Sequence, residues 1–97
     1  MNYRMIQHVH FKEDWQRLPL AIREQLKKKL VKVLENPHIP KNRLNGELAS
    51  CYKIKLLKAG VRLIYQVSDE DVVILLVTVG KREDRAAYET AIQRVTH

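Results

Sequence analysis

The sequence predicts an α+β domain, an antiparallel sheet with helices packed against it in the order β-α-α-β-β-β-α. Three observations carry this. Residues 51–67, "CYKIKLLKAGVRLIYQV", alternate apolar and polar on either side of a glycine, as a hairpin does. Ile22, Leu26, Leu30, Val33 and Leu34 recur at helical spacing. Residues 72–79, "VVILLVTV", are apolar on both faces, the pattern of a central strand covered on both sides at least in part. The 97 residues fit one domain spanning 1–97, long enough for a single core without staples.

Residues 5–11, "MIQHVHF", alternate loosely and form the first predicted strand. "KEDWQRL" is then a short helix, with Trp15 as a core anchor between the helices. Pro19 opens the second helix, since proline fits a first turn. That helix stops near Asn36, because Pro37 disfavours helical geometry in the residue before it. Residues 37–50 hold two prolines and a glycine and form a loop. Gly80 ends the central strand. A last helix covers residues 83–95, with Glu83 and Asp84 near its positive N-terminus and Tyr88, Ile92 and Val95 as its apolar stripe.

The hairpin has a register that its pattern dictates. A slip of one residue exchanges the faces of a strand. Only an even-length connection, such as a two-residue turn at Ala59-Gly60, sets Tyr52, Ile54 and Leu56 beside Val61, Leu63, Tyr65 and Val67. The same register gathers Lys53, Lys55 and Arg62 on the opposite face. Cations on a strand can serve only to keep a face wet and block edge pairing. Three together, followed by "GKRE" as the apolar strand exits, suit phosphate, which takes both point charges and a bidentate guanidinium.

Composition points the same way. Lysine and arginine number 18 against 11 acids, a net charge of +7, which favours a polyanionic partner, most often nucleic acid. No basic amphipathic anchor with exposed aromatics suggests a membrane surface. A single cysteine, Cys51, excludes an internal disulfide and suits the reducing cytoplasm. "MNYRMIQHVHFKEDW" has no apolar run long enough for a signal peptide or a span. No spaced His, Cys, Asp and Glu set suggests a metal site, and no cofactor is implied.

Taken together, "REQLKKKLVKVLENP", "CYKIKL", "RLIYQV" and "VGKRE…Y" closely resemble the RelE toxins of bacterial toxin–antitoxin systems, over about residues 15–95. The resemblance implies ribosome-dependent cleavage of mRNA in the decoding A site, with silencing by a RelB-like antitoxin. Ribosomal RNA and mRNA are then the nucleic-acid partners, and operator DNA is reached only through the antitoxin complex. The functional positions fall on Lys53, Lys55, Arg62, Arg82 and Tyr88, and all five residue types match the family's motif. In "RLNGE", Asn45 departs from the resemblance, standing where the family's pattern has a basic residue before the glycine.

Metal-free cleavage of RNA needs a base for the 2′-hydroxyl, cations for the phosphorane-like transition state and an acid for the leaving 5′-oxygen. Histidine usually moves such protons, but His8, His10, His38 and His97 lie outside the recognised positions. A lysine among other cations has its charged form disfavoured and its pKa lowered. By resemblance Lys55 is the base, and Lys53, Arg62 and Arg82 hold the phosphate, with Arg82 near the leaving oxygen. The acid stays open. Tyr88 stacks on a base by resemblance; by pattern alone it packs with Ile92 and Val95. Cys51 is expected to be packed rather than reactive. Lys27 and Lys28, in a run that is ordinarily a solvated helix face, are candidates for ribosomal RNA phosphates. A ParE-like toxin acting on gyrase is the alternative on the same scaffold. A DNA-binding module lacks a helix-turn-helix signature.

Overall fold

A computed structural model describes residues 3–81 and 86–96. The elements are β1 (Arg4–Gln7), α1 (Phe11–Gln16), α2 (Leu20–Glu35), β2 (Cys51–Leu56), β3 (Val61–Ser68), β4 (Val73–Lys81) and α3 (Ala86–Thr96), the predicted order. Short 3-10 turns at Pro40–Asn42 and Gly46–Leu48 shape the long loop.

Local chemistry sets the boundaries. β1 stops earlier than alternation suggests, because the His10 amide donates to His8 Nδ1 at 3.2 Å and the Phe11 amide to the His8 carbonyl at 2.9 Å. That turn sends Phe11 into α1, where it is buried and stacks on Trp15 at 6.0 Å between ring centroids. Trp15 packs at the margin of the core. Pro19 caps α2 from outside, its carbonyl accepting from the Ile22 and Arg23 amides. Asn36, with φ −149° and ψ 89°, leaves helical geometry just before Pro37. The predicted start of the last helix at Glu83 and Asp84 lies outside the described residues, as do Arg82 and His97.

The strand order is β1-β4-β3-β2. Both β2/β3 and β3/β4 are antiparallel, but β1 joins β4 in parallel, so the sheet is mixed where the element order predicted it antiparallel. The physical reason is the connection. Between β1 and β4 the chain makes two helices and the hairpin, and a long excursion of this kind can return a strand in the same direction. The hairpin loop is four residues, 57–60, instead of two, with Leu56 opposite Val61. Parity is preserved, so every side chain keeps its predicted face. Gly60, at φ +65°, supplies the left-handed conformation that closes the loop.

The sheet is covered on both faces. On one, all seven predicted hairpin residues pack with Leu26, Leu30 and Val33 of α2. On the other, Cys51, Ile64 and Val77 meet Leu44, Leu48 and Ala91, with Tyr88, Ile92 and Val95 of α3 half-buried beside them. An irregularity opposite Ile64 and Tyr65 skips Val77 in the register. It lets Leu76 and Val79 both face α2 while Val77 faces α3.

Candidate active site

The demand of the α2-facing core for Ile54 and Leu56 turns Lys53 and Lys55 toward the other face. Register then sets Lys55 directly opposite Arg62 and Lys53 opposite Ile64. Arg62 is a cation only 8% exposed, and its Cζ lies 4.5 Å from the centre of the Tyr88 ring. Its buried Nε has no hydrogen-bond partner among the described residues. A ring face attracts a guanidinium by about 0.5–2 kcal/mol, whereas an orphaned buried N–H costs about 1–3 kcal/mol. An anion laid against the guanidinium removes that cost. On β4, Arg62 pairs with Gly80, and a Cβ there would meet nothing within 4 Å. Gly80 has no left-handed φ to require glycine; the missing side chain leaves space beside Arg62.

The lysines perturb one another. Contact with the Lys53 side chain, then its charge, holds the Lys55 ammonium below the ordinary lysine range; lost hydration and the Arg62 charge add to this, and Tyr88 opposes it. The direction is the one a general base needs. Cys51, fully buried, has its thiol pushed up to about 11 by burial, so it is a packing residue and no nucleophile.

A cleft of about 360 Å³ opens beside these groups, lined by Lys53, Tyr88, Ile92, Leu48, Asn45 and Arg43. Arg43 was not legible in the sequence. It lies in an aperiodic loop, and what fixes its guanidinium at the rim is a 2.9 Å hydrogen bond from Nε to the Ala49 carbonyl. Asn45 shares that rim, so the loop presents a cation two residues before it.

Of the sequence-predicted residues, Lys53, Lys55, Arg62 and Tyr88 converge. Arg82 lies outside the described residues. Lys27 and Lys28 are exposed on α2, away from the cleft, and Lys27 sits 3.9 Å from Glu24. His8, His10 and His38 do not line the cleft. His38, read as a loop residue, is wedged between the Tyr52 hydroxyl at 2.8 Å and Asp69 at 2.7 Å. Tyr3 also donates to Asp69, and hydrogen bonds from Tyr3 and His38 depress the Asp69 carboxyl. Behind the site, α3 is fastened by Arg94, which donates to Asp14 at 2.6 Å and to the Val77 carbonyl at 2.7 Å.

Among the described residues no three His, Cys, Asp or Glu side chains gather as metal ligands. None of the helices described there is long and apolar enough to cross a membrane.

The chain is similar to known proteins in sequence and in fold. A family model described as the ParE toxin of type II toxin–antitoxin systems matches residues 5–86. The mRNA interferase toxin RelE of Escherichia coli K12 is 52% identical over 83 residues, covering 86% of each chain. An arginine-to-alanine double mutant of E. coli toxin RelE in the free state superposes with a TM-score of 0.89 at 46% identity, over 98% of this chain and 99% of that one. A complex of such a mutant with an antitoxin RelBc peptide gives 0.81 at 47% identity, over 94% and 95%.

Proposed function

The chain belongs to the RelE/ParE family of type II toxin–antitoxin toxins, and from that membership we propose that it is a single-domain mRNA interferase over residues 1–97, cutting ribosome-bound mRNA in the A site. The observation that carries the reading is the Lys55–Arg62 cross-strand pair, with Lys53 beside it and Arg62 half-sandwiched under Tyr88. The similarity to an mRNA interferase at 52% identity supports it.

In the proposed reaction, neutral Lys55 takes the proton of a 2′-hydroxyl. The 2′-oxygen attacks the adjacent phosphorus, and Lys53 and Arg62 hold the charge that builds on the phosphorane. The bond to the 5′-oxygen breaks, leaving a 2′,3′-cyclic phosphate and, once that oxygen is protonated, a 5′-hydroxyl. Arg82 is proposed to sit near this leaving oxygen. Tyr88 orients the nucleotide by stacking and keeps the Arg62 guanidinium flat beneath it. The cations supply the charge stabilisation that a metal supplies in other nucleases. A lysine base and arginine neighbours are weak proton-transfer groups, so most of the rate must come from positioning. Dependence on the ribosome to hold the mRNA fits that need, and Lys27 and Lys28 are proposed to meet ribosomal RNA.

A RelB-like antitoxin is the proposed partner, since E. coli RelE is known in complex with RelB. Such a partner disables this site by covering the basic face or by displacing α3, which takes Tyr88 off Arg62. The cytoplasm is the proposed location, as ribosomes require.

The family model carries the ParE name, so a gyrase-directed toxin is the second reading; it gives no role to the cation–tyrosine set. Ribosomes programmed with a defined mRNA separate the two. Cuts at codon positions with 5′-hydroxyl ends are expected. Gyrase-dependent DNA breaks without RNA cuts reject the proposal, and 5′-phosphate ends reject the 2′-hydroxyl mechanism.

A further inference from the structure

Beside the active-site cleft, on the outer edge of β2, a larger groove of about 600 Å³ runs between the hairpin and α2. Five lysines line it: Lys29 and Lys32 from α2, Lys41 from the first 3-10 turn, and Lys53 and Lys55 from β2. No acid is among the lining residues, and Val33 and Ile54 form part of the floor. Blocking edge pairing explains lysines on an edge strand, but it does not explain lysines brought to the same groove by two other elements. Like charges three apart on a helix repel, so Lys29 and Lys32 carry a cost that a polyanion would relieve. Lys53 lines both this groove and the cleft under Tyr88. The two spaces therefore meet at one side chain.

We propose that this lysine groove is a backbone track for the mRNA strand that flanks the cleaved bond, gripping its phosphates without reading its bases. The inference rests on the RNA-cleaving function proposed above and extends it to residues outside the catalytic set. Lysines suit such a track, being point charges on flexible stems that follow a moving backbone without demanding one geometry. The apolar floor accommodates sugars and base faces. A strand entering under Tyr88 and continuing past Lys53 meets Lys55, Lys32, Lys29 and Lys41 in one continuous run of charge.

The test uses the full chain and the triple variant Lys29→Ala/Lys32→Ala/Lys41→Ala, which leaves Lys53 and Lys55 in place. The probe is a short single-stranded RNA with every 2′-hydroxyl methylated, so that it binds without being cut. Binding is followed from about 50 to about 200 mM salt, where each phosphate contact on a single strand contributes about 0.7 to the slope of log K against log salt. The variant is expected to lose about 2 from that slope and, near 0.1 M salt, about 10²-fold in affinity. It should cleave ribosome-bound mRNA with a raised KM, a retained kcat and a melt held or raised, as the helix loses a like-charge pair. An unchanged slope overturns the track. So does an unaltered chain that cuts programmed ribosomes but does not bind the probe. Weakened binding to mRNA-free ribosomes with an unchanged probe slope gives the groove to ribosomal RNA, and a loss confined to antitoxin affinity gives it to a protein; both overturn the proposal. If the unaltered chain cuts no mRNA on ribosomes, the proposed function fails, a result separate from any of these.

Discussion

Replacing Arg62 with methionine sets stability and activity against each other. Arg62 is 8% exposed, and its buried Nε has no partner among the described residues. Methionine fills a similar volume and has no N–H to desolvate. The substitution gives up the attraction to the Tyr88 ring, about 0.5–2 kcal/mol, and relieves the orphaned N–H, about 1–3 kcal/mol. The midpoints leave about 1 kcal/mol in favour of methionine. For a domain of this size that is a rise in Tm of about 4–8 °C. Cleavage should move the other way, because removing one charge-stabilising donor typically costs about 10²–10³ in rate. The assays are a thermal melt of purified Arg62→Met and single-turnover cutting of mRNA on programmed ribosomes. A variant that melts well below the unaltered chain yet cuts at its rate refutes the reasoning on both counts. Arg62 would then be a structural cation and the phosphate site would lie elsewhere.

Removing Lys53 should act on Lys55 through charge. Lys53→Ala takes away the largest influence lowering the Lys55 ammonium, so the Lys55 pKa rises and the ascending limb of the pH–rate profile moves to higher pH; a limb that stays put removes Lys55 as the base. Gly80→Val adds a side chain to the open space beside Arg62 and replaces a poor strand former, so it should block cleavage while holding or raising Tm; full activity would show that the space is not used. Arg94→Ala takes the charged partner from the Asp14 carboxylate, which is 15% exposed and still accepts from the Thr78 hydroxyl at 3.3 Å, and should cost about 2 kcal/mol, between exposed and buried ion pairs. Hydrogen exchange should localise the loosening to α3, and uniform protection there counts against Arg94 as its fastening. Asp69, depressed by Tyr3 and His38, adds stability above the unfolded carboxylate range near about pH 4, lost as pH falls through its lower folded value. Asp69→Asn should therefore flatten the acid limb of a Tm–pH curve, and an unaltered limb denies the linkage.

The parts of the fold written in alternation were legible. Parity fixed which side of the hairpin meets α2 even though the loop is 57–60 and not 59–60, because both lengths are even. The convergence of Lys53, Lys55 and Arg62 follows from that parity, since the apolar residues between them have only one place to go. Arg43, by contrast, reaches the cleft through a loop whose course depends on a carbonyl at Ala49, and no period in the sequence encodes it. The same holds for His38 between Tyr52 and Asp69, residues 14 and 31 positions away. The direction of β1 was invisible for a related reason. Four residues that pair with β4 carry the same alternation whichever way they run.

The parallel seam between β1 and β4 has a consequence for the time at which the molecule comes into being. The hairpin can close as soon as it has been synthesised, since its contacts are local. β1 cannot: its partner is the last strand made, and it waits through two helices and a hairpin for residues 73–76. The sheet gains its centre only once β4 has been made, and the ring that lies over Arg62 arrives later still, on α3. A nascent chain still tethered to its own ribosome thus carries the cations without the frame that arms them, and an interrupted product that ends before β4 has lost the strand that joins both halves of the sheet. The order of synthesis thus keeps the cation–tyrosine arrangement incomplete until β4 and α3 have both followed the hairpin.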